Sequence, residues 1–315
     1  MTTINKRRSL LLALPTLLLA ALPALAQPAA APTREISDAS GRKLTVPAQP
    51  QRVLVLSEKD LDVALALGVK PVGSTLGRGQ LSLPAYLMNQ AGNLPNVGAF
   101  AQPSMDRVLA LRPDLILAGG FSDPQLLAQL SKIAPTFISY PALERWQDTT
   151  LRVGDLLGRG GEAKAFIAQY QARATTLRGK VGALAGKSAS IVRWTPQGPV
   201  YMKADAFAGQ VLADLGLTRP AAQQEPGAGH SGPLSREALA KIDGDWLFLG
   251  MFKSGRAHDP EALAALMRQP EFRELRAAKA GQVREVDASL WTVTGGPLAA
   301  LAVLDETERV LLGSR

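Results

Sequence analysis

The sequence predicts an α/β protein of two lobes, each built on a central sheet, joined by one long interdomain helix. Three observations carry this expectation. From residue 34 onward, short apolar β runs alternate with helical runs. Between residues 144 and 184 the alternation lapses into almost pure helix, and after residue 186 it resumes. The 315 residues include no cysteine, so apolar burial rather than disulfides has to hold both lobes.

The first 26 residues are set apart from the fold. Lys6, Arg7 and Arg8 form a basic start, Leu10 to Leu22 is an apolar run short for a bilayer, and Ala24-Leu25-Ala26 is a cleavage pattern for export. The expected mature chain begins near Gln27 and is a soluble protein of a periplasm. The Arg pair in "RRSLLL" is also compatible with twin-arginine export. The formal charge of +8 includes those three basic residues and falls to +5 without them. Lys and Arg are scattered among acids rather than clustered with aromatics, which argues against a nucleic-acid groove and leaves a positive cleft for an anionic ligand open.

The first lobe is expected over residues 27–145. "RVLVLS" (52–57) reads as a strand buried on both faces, and "EKDLDVALALG" follows as a helix with Leu61 and Leu65 on one face and Gly68 as its stop. "KPVGST" is a second strand. In "PSMDRVLALRPDLILAGG" Ser104 caps a helix that ends before Pro113, and "DLILAGG" is the next strand. "DPQLLAQLSKIAPTFISY" adds a helix and a strand. A helical linker is expected over 146–185, broken near "GRGG" (158–161), with Phe166, Ile167, Tyr170 and Leu177 spaced for one face. The second lobe, 186–315, starts with the strands "SASIVRW" and "PVYMK". The helix "DAFAGQVLADLG" follows with Gly216 as its stop, then the helix and strand of "SREALAKIDGDWLFLG", and "GQVREVDAS" is the last strand. Two such lobes leave a cleft at the carboxyl ends of their strands.

Several motifs suggest chemistry that their context does not support. "GALAGKS" (182–188) is one residue short of a phosphate loop and lies between a helix and a strand, the reverse of what that loop needs. "GHSGP" (229–233) resembles a serine-hydrolase elbow, with Asp243 or Asp245 and His258 to complete a triad, but Pro233 stands where Gly is needed and a loop precedes it. Two distant histidines and no cysteine make a bare transition-metal site poor chemistry, so bound iron would come inside an organic chelator.

Positions after strand ends supply the cleft candidates. Arg193 and Trp194 end "SASIVRW", Arg78 sits in the Gly-flanked "LGRGQ", and His230 and Phe252 lie in later loops facing the same way.

Four segments taken in order, "SDASGRKLTVPAQPQRVLVLS", "SMDRVLALRPDLILAG", "SREALAKIDGDWLFLG" and "LWTVTGGPLAALAVLDE", resemble the periplasmic substrate-binding proteins of ABC importers for ferric siderophores, haem and cobalamin, particularly the ferric hydroxamate-binding branch. The resemblance covers nearly the whole mature chain. It implies two Rossmann-like lobes, a stiff helical linker and small closure on binding. It implies a monomer without catalysis or covalent cofactor, which captures a ferric siderophore and delivers it to an inner-membrane ABC permease. It further implies that Asp106 and Glu237, one acid per lobe, dock on basic residues of that permease, that Trp291 lines the cleft against the chelate, and that Phe121 stands where the branch often carries an aromatic residue. One departure is Phe100, where the branch places an Arg; Arg78 or Arg193 is expected to substitute. Haem or a corrinoid, with His230 or a Tyr as axial ligand, is the alternative within the class, and an exported hydrolase using Ser231 the alternative outside it.

Overall fold

The computed structural model describes residues 1–2, 32–141, 144–227, 229–253 and 258–313. The expected export signal over residues 1–26 lies, apart from its first two residues, outside the described residues.

An antiparallel hairpin, Thr33–Ser37 with Lys43–Pro47, leads into a four-stranded parallel sheet. Its spatial order is Gly73–Ser74, Val53–Val55, Leu115–Leu117, Thr136–Phe137. Successive side chains on a strand point to opposite faces, and both faces are covered here. Val53, Val55, Leu115 and Leu117 pack with Leu61, Leu87 and Val153 on one side. Leu54, Leu56, Ile116 and Ala118 pack with Val108, Leu127 and Leu130 on the other. The helix Glu58–Ala66 starts where Ser57 accepts the Asp60 N–H, and it stops at Gly68, whose φ of 72° suits glycine.

The helix Trp146–Leu156 turns through Gly158 into the helix Gly160–Lys180. Its 21 residues span about 30 Å, and Ala163, Tyr170, Ala174 and Leu177 form its buried stripe. The second sheet follows, in the order Val200–Tyr201, Ala189–Arg193, Trp246–Met251, Val283–Asp287. The last three are mutually parallel, and Val200–Tyr201 is an antiparallel edge. Ala189, Ile191 and Phe248 face a core shared with the long helix, while Val192, Leu247 and Leu249 face one shared with Leu263 and Phe272.

The final helix, Pro297–Leu312, is the structure's addition to the expected plan. It lies beyond the second sheet in sequence, yet its first turn docks on the first lobe. Asp62, fully buried, accepts hydrogen bonds from the backbone N–H groups of Gly296 (3.2 Å), Leu298 (2.8 Å) and Ala299 (2.9 Å) and from the Tyr86 hydroxyl (3.0 Å). The carboxylate thus fills the role of a cap supplied from elsewhere in the chain, at the end of a helix where negative charge is favoured. Burial pushes its pKa up to about 6; the four donors oppose that rise, and the group stays ionised at neutral pH. Glycine is required at position 296, because a Cβ there would stand 2.6 Å from Asp62 Oδ1.

Asp62→Ala strands three helix N–H groups and the Tyr86 hydroxyl in a dry interface. The variant is expected to lose about 2–3 kcal/mol in urea unfolding. An unchanged midpoint would show that the latch does not hold the lobes together.

Candidate functional site

A cavity of about 580 Å³ opens between the lobes where the strands of both sheets end. From the first lobe come Lys59, Arg78, Gly79, Gly120, Tyr140 and Glu144. From the second come Arg193, His230, Phe207, Phe252 and the segment Thr292–Gly295, with Trp146 at the start of the linker.

Four of the seven residues singled out for the cleft line this cavity: Arg78, Arg193, His230 and Phe252. Arg78 lies over Phe100, its guanidinium carbon 3.9 Å from the ring centroid, and its Nε is 3.3 Å from Glu58 Oε1. That Glu58 oxygen also accepts from the Thr294 hydroxyl across the lobe boundary, at 3.2 Å. Arg193 is mostly buried and donates to the Thr292 carbonyl at 3.3 Å. Burial, and then the like charge of Arg78, pull its pKa below the usual guanidinium value. Two guanidiniums, one from each lobe, therefore line the same cavity. The Phe252 ring reaches across to the first-lobe turn, where a Cβ on Gly79 would lie 3.9 Å from it. His230 is exposed, and its Nδ1 meets the Ser231 carbonyl at 2.7 Å.

Three expectations are corrected. Trp291 does not line the cavity: it is fully buried, stacks on Phe248 with centroids 4.5 Å apart, and its indole N–H donates to Glu306. The short helix Ala288–Trp291 turns its last residues down onto the sheet, so the wall is made by the segment immediately after it, Thr292–Gly295. Trp194, 9% exposed, packs in the core with Tyr201 and Leu239, because the period of two sends it to the face opposite Arg193. Phe121, 7% exposed, meets Phe100 edge-on at 5.2 Å in the first-lobe core, and it is Gly120 that reaches the cavity.

Lys59, Tyr140, Glu144 and Trp146 line the cavity without having been singled out in the sequence. The strand-end rule could have found Lys59, two residues past the strand-ending Leu56-Ser57, had "EKD" not read as the solvent face of a helix. Asp106 and Glu237 are exposed, on the helix Met105–Ala110 and the 3₁₀ segment Arg236–Ile242, away from the cavity wall. The hydrolase parts do not assemble. Ser231 Oγ donates to the Gly232 carbonyl, His258 Nδ1 meets the Phe252 carbonyl, Asp243 holds Arg276 and Asp245 holds Ser188. Among the described residues no three His, Asp or Glu side chains gather as metal ligands.

Residues 53–290 match the family described as periplasmic binding protein. A probable siderophore-binding lipoprotein of Bacillus subtilis is 29% identical over 289 residues, covering 90% of this chain and 89% of the relative. The achromobactin-binding periplasmic protein of Dickeya dadantii is 28% identical, covering 83% and 86%. The crystal structure of Staphylococcus aureus SirA complexed with staphyloferrin B superposes with a TM-score of 0.76 at 26% identity, covering 89% of this chain and 99% of that one. The likeness shares the two-lobed fold with a long linking helix.

The corrected place of Trp291 has a measurable consequence. Trp291→Ala is expected to cost about 3–5 kcal/mol of unfolding free energy, the range for emptying a buried aromatic site. A denaturation midpoint within error of the wild type would put Trp291 outside the core.

Proposed function

We propose that this chain, which belongs to the periplasmic binding protein family, captures a ferric siderophore bearing negative charge and presents it to an inner-membrane ABC permease. The observation that carries the reading is the pair Arg78 and Arg193, one from each lobe, which line one cavity; Glu58 lies against Arg78, and among the described residues Arg193 has no acid partner. Like charges kept together in a partly dry cavity are stabilised by an anion that bridges them. The cavity volume of about 580 Å³ is of the size that takes a small-molecule ligand. The siderophore-related names of the relatives and of the structural neighbour support the same class of ligand.

In this reading residues 27–145 and 186–315 are the binding lobes and 146–185 is the linker. Arg78, supported on Phe100, supplies the cation that the hydroxamate branch carries at position 100. His230 and Phe252 complete the ligand contacts. Asp106 and Glu237 are exposed acids, one on each lobe, suited to basic sites of a permease through rim electrostatics. The protein works as an exported, periplasmic monomer and performs no chemistry on the chelate.

Intrinsic tryptophan fluorescence of the mature protein, titrated with ferric carboxylate, hydroxamate and catecholate chelates beside haem and cobalamin, tests this. Saturable binding of an anionic ferric chelate is expected, weakened at least about tenfold in Arg78→Ala and in Arg193→Ala. A response confined to haem or cobalamin, or none across the panel, would overturn the reading.

A further inference from the structure

The first-lobe wall of the cavity holds a second set of donors that the arginine pair does not use. Lys59 is 4% exposed, lines the cavity, and carries its Nζ 4.5 Å from the centroid of the Tyr140 ring. Its charged neighbours act on it only through space: Glu144, Asp60 and Asp62 favour the ammonium, and Arg152 opposes it.

Each of those acids is engaged elsewhere. Glu144 takes both terminal nitrogens of Arg152, at 2.7 and 2.6 Å, and the Thr149 hydroxyl at 2.7 Å. Asp60 accepts from the Ser57 hydroxyl, the Gly119 N–H and the Ser139 hydroxyl. Asp62 holds the last helix. Tyr140 lines the same wall, and among the described residues its buried hydroxyl has no hydrogen-bond partner, since the nearby Ser57 hydroxyl donates to Asp60. The ring packs against Gly119 and Gly120, where an added Cβ would lie 2.1 Å and 3.1 Å from it, so a side chain at either position would displace it. An ammonium and a phenol, both buried at one wall and, among the described residues, without a hydrogen-bond acceptor, are the donor half of an anion site.

We infer that Lys59 and Tyr140 form an anion subsite distinct from the arginine pair, which takes a free carboxylate arm of the bound chelate and selects for chelates that have one. The inference rests on the reading of the cavity as a ferric-chelate site. Burial pulls the Lys59 pKa down to about 8, so the empty protein sheds this proton as pH rises through that value. A bound carboxylate holds the proton on. Binding therefore takes up protons near pH 8, and affinity falls by up to about tenfold per pH unit above it.

The test is titration calorimetry at pH 8 in two buffers of different ionisation enthalpy, with ferric citrate as the carboxylate probe and ferrioxamine B as a chelate without a free carboxylate. Wild type is expected to bind ferric citrate with proton uptake. Lys59→Met should lose the uptake and at least tenfold in affinity for ferric citrate while leaving any ferrioxamine B binding within twofold, and Tyr140→Phe, which keeps the ring, should lose severalfold for ferric citrate alone. Should Lys59→Met fail to fold, wild-type proton uptake and Tyr140→Phe decide. Wild-type-like ferric citrate binding in both variants, or wild type that binds ferrioxamine B but not ferric citrate, overturns the subsite and leaves the chelate reading standing. Wild type that binds neither overturns both.

Discussion

The carboxylate of Asp62 accepts three backbone N–H groups of the last helix and the Tyr86 hydroxyl, and it joins the two lobes at a point far in sequence from their helical linker. A helix start left without partners in a dry interface would be costly, so these bonds fix both where the last helix begins and how the lobes meet. The cavity wall Thr292–Gly295 is the segment that leads directly into that helix start. Its position is therefore set by a first-lobe side chain. The last helix also packs along the linker helix, where Arg173 and Lys180 pair with Glu308, so the latch and the linker fasten the lobes together, which favours small adjustments over a wide hinge swing.

The same short helix distributes four buried charges with different tasks. Glu58 and Asp62 are four residues apart and share a face, and both reach the second lobe, at Thr294 and at the last helix. Lys59, rotated by one residue, enters the cavity, while Asp60 turns inward to tie the loops at Gly119 and Ser139. Burying four charges within five residues is expensive unless each is satisfied. Asp60 and Asp62 are satisfied within the protein. Among the described residues Glu58 keeps one carboxylate oxygen without a partner, and Lys59 meets a ring face while acids act on it through space. Of these two, Lys59 lines the cavity, where a ligand can complete it.

Much of the frame was legible in the sequence because it follows from periodicity. The buried strands, the Gly68 stop and the break before the long helix all depend on local patterns that the structure reproduces. Cavity-lining residues were legible where charge marked them: Arg78 and Arg193 follow strand ends, and both reach the cavity. Aromatic residues misled, since Trp194 and Trp291 are equally at home in a core, and one step along a strand or a short helix separates wall from interior. Lys59 and Asp62 were hidden for the opposite reason. Beside Leu61 and Leu65 they look like the polar face of an amphipathic helix, and only the arrival of the second lobe turns that face inward.

The resulting cavity combines two kinds of surface. Its cations, Arg78, Arg193 and Lys59, lie on both lobes; Glu58 pairs with Arg78, and the other acids nearby are bound to Arg152, to backbone or to the last helix. Its aromatic surface comes from Tyr140, Trp146, Phe207 and Phe252 rather than from the tryptophans at the strand and helix ends. A compact anion such as phosphate could satisfy the cations but would leave the rings wetted. An apolar ligand would cover the rings and leave Arg193 and Lys59 desolvated without a paired counterion. A bulky metal chelate with carbonaceous flanks and residual negative charge meets both demands at once. Charge then discriminates among chelates, and the aromatic area adds affinity that most of them can share.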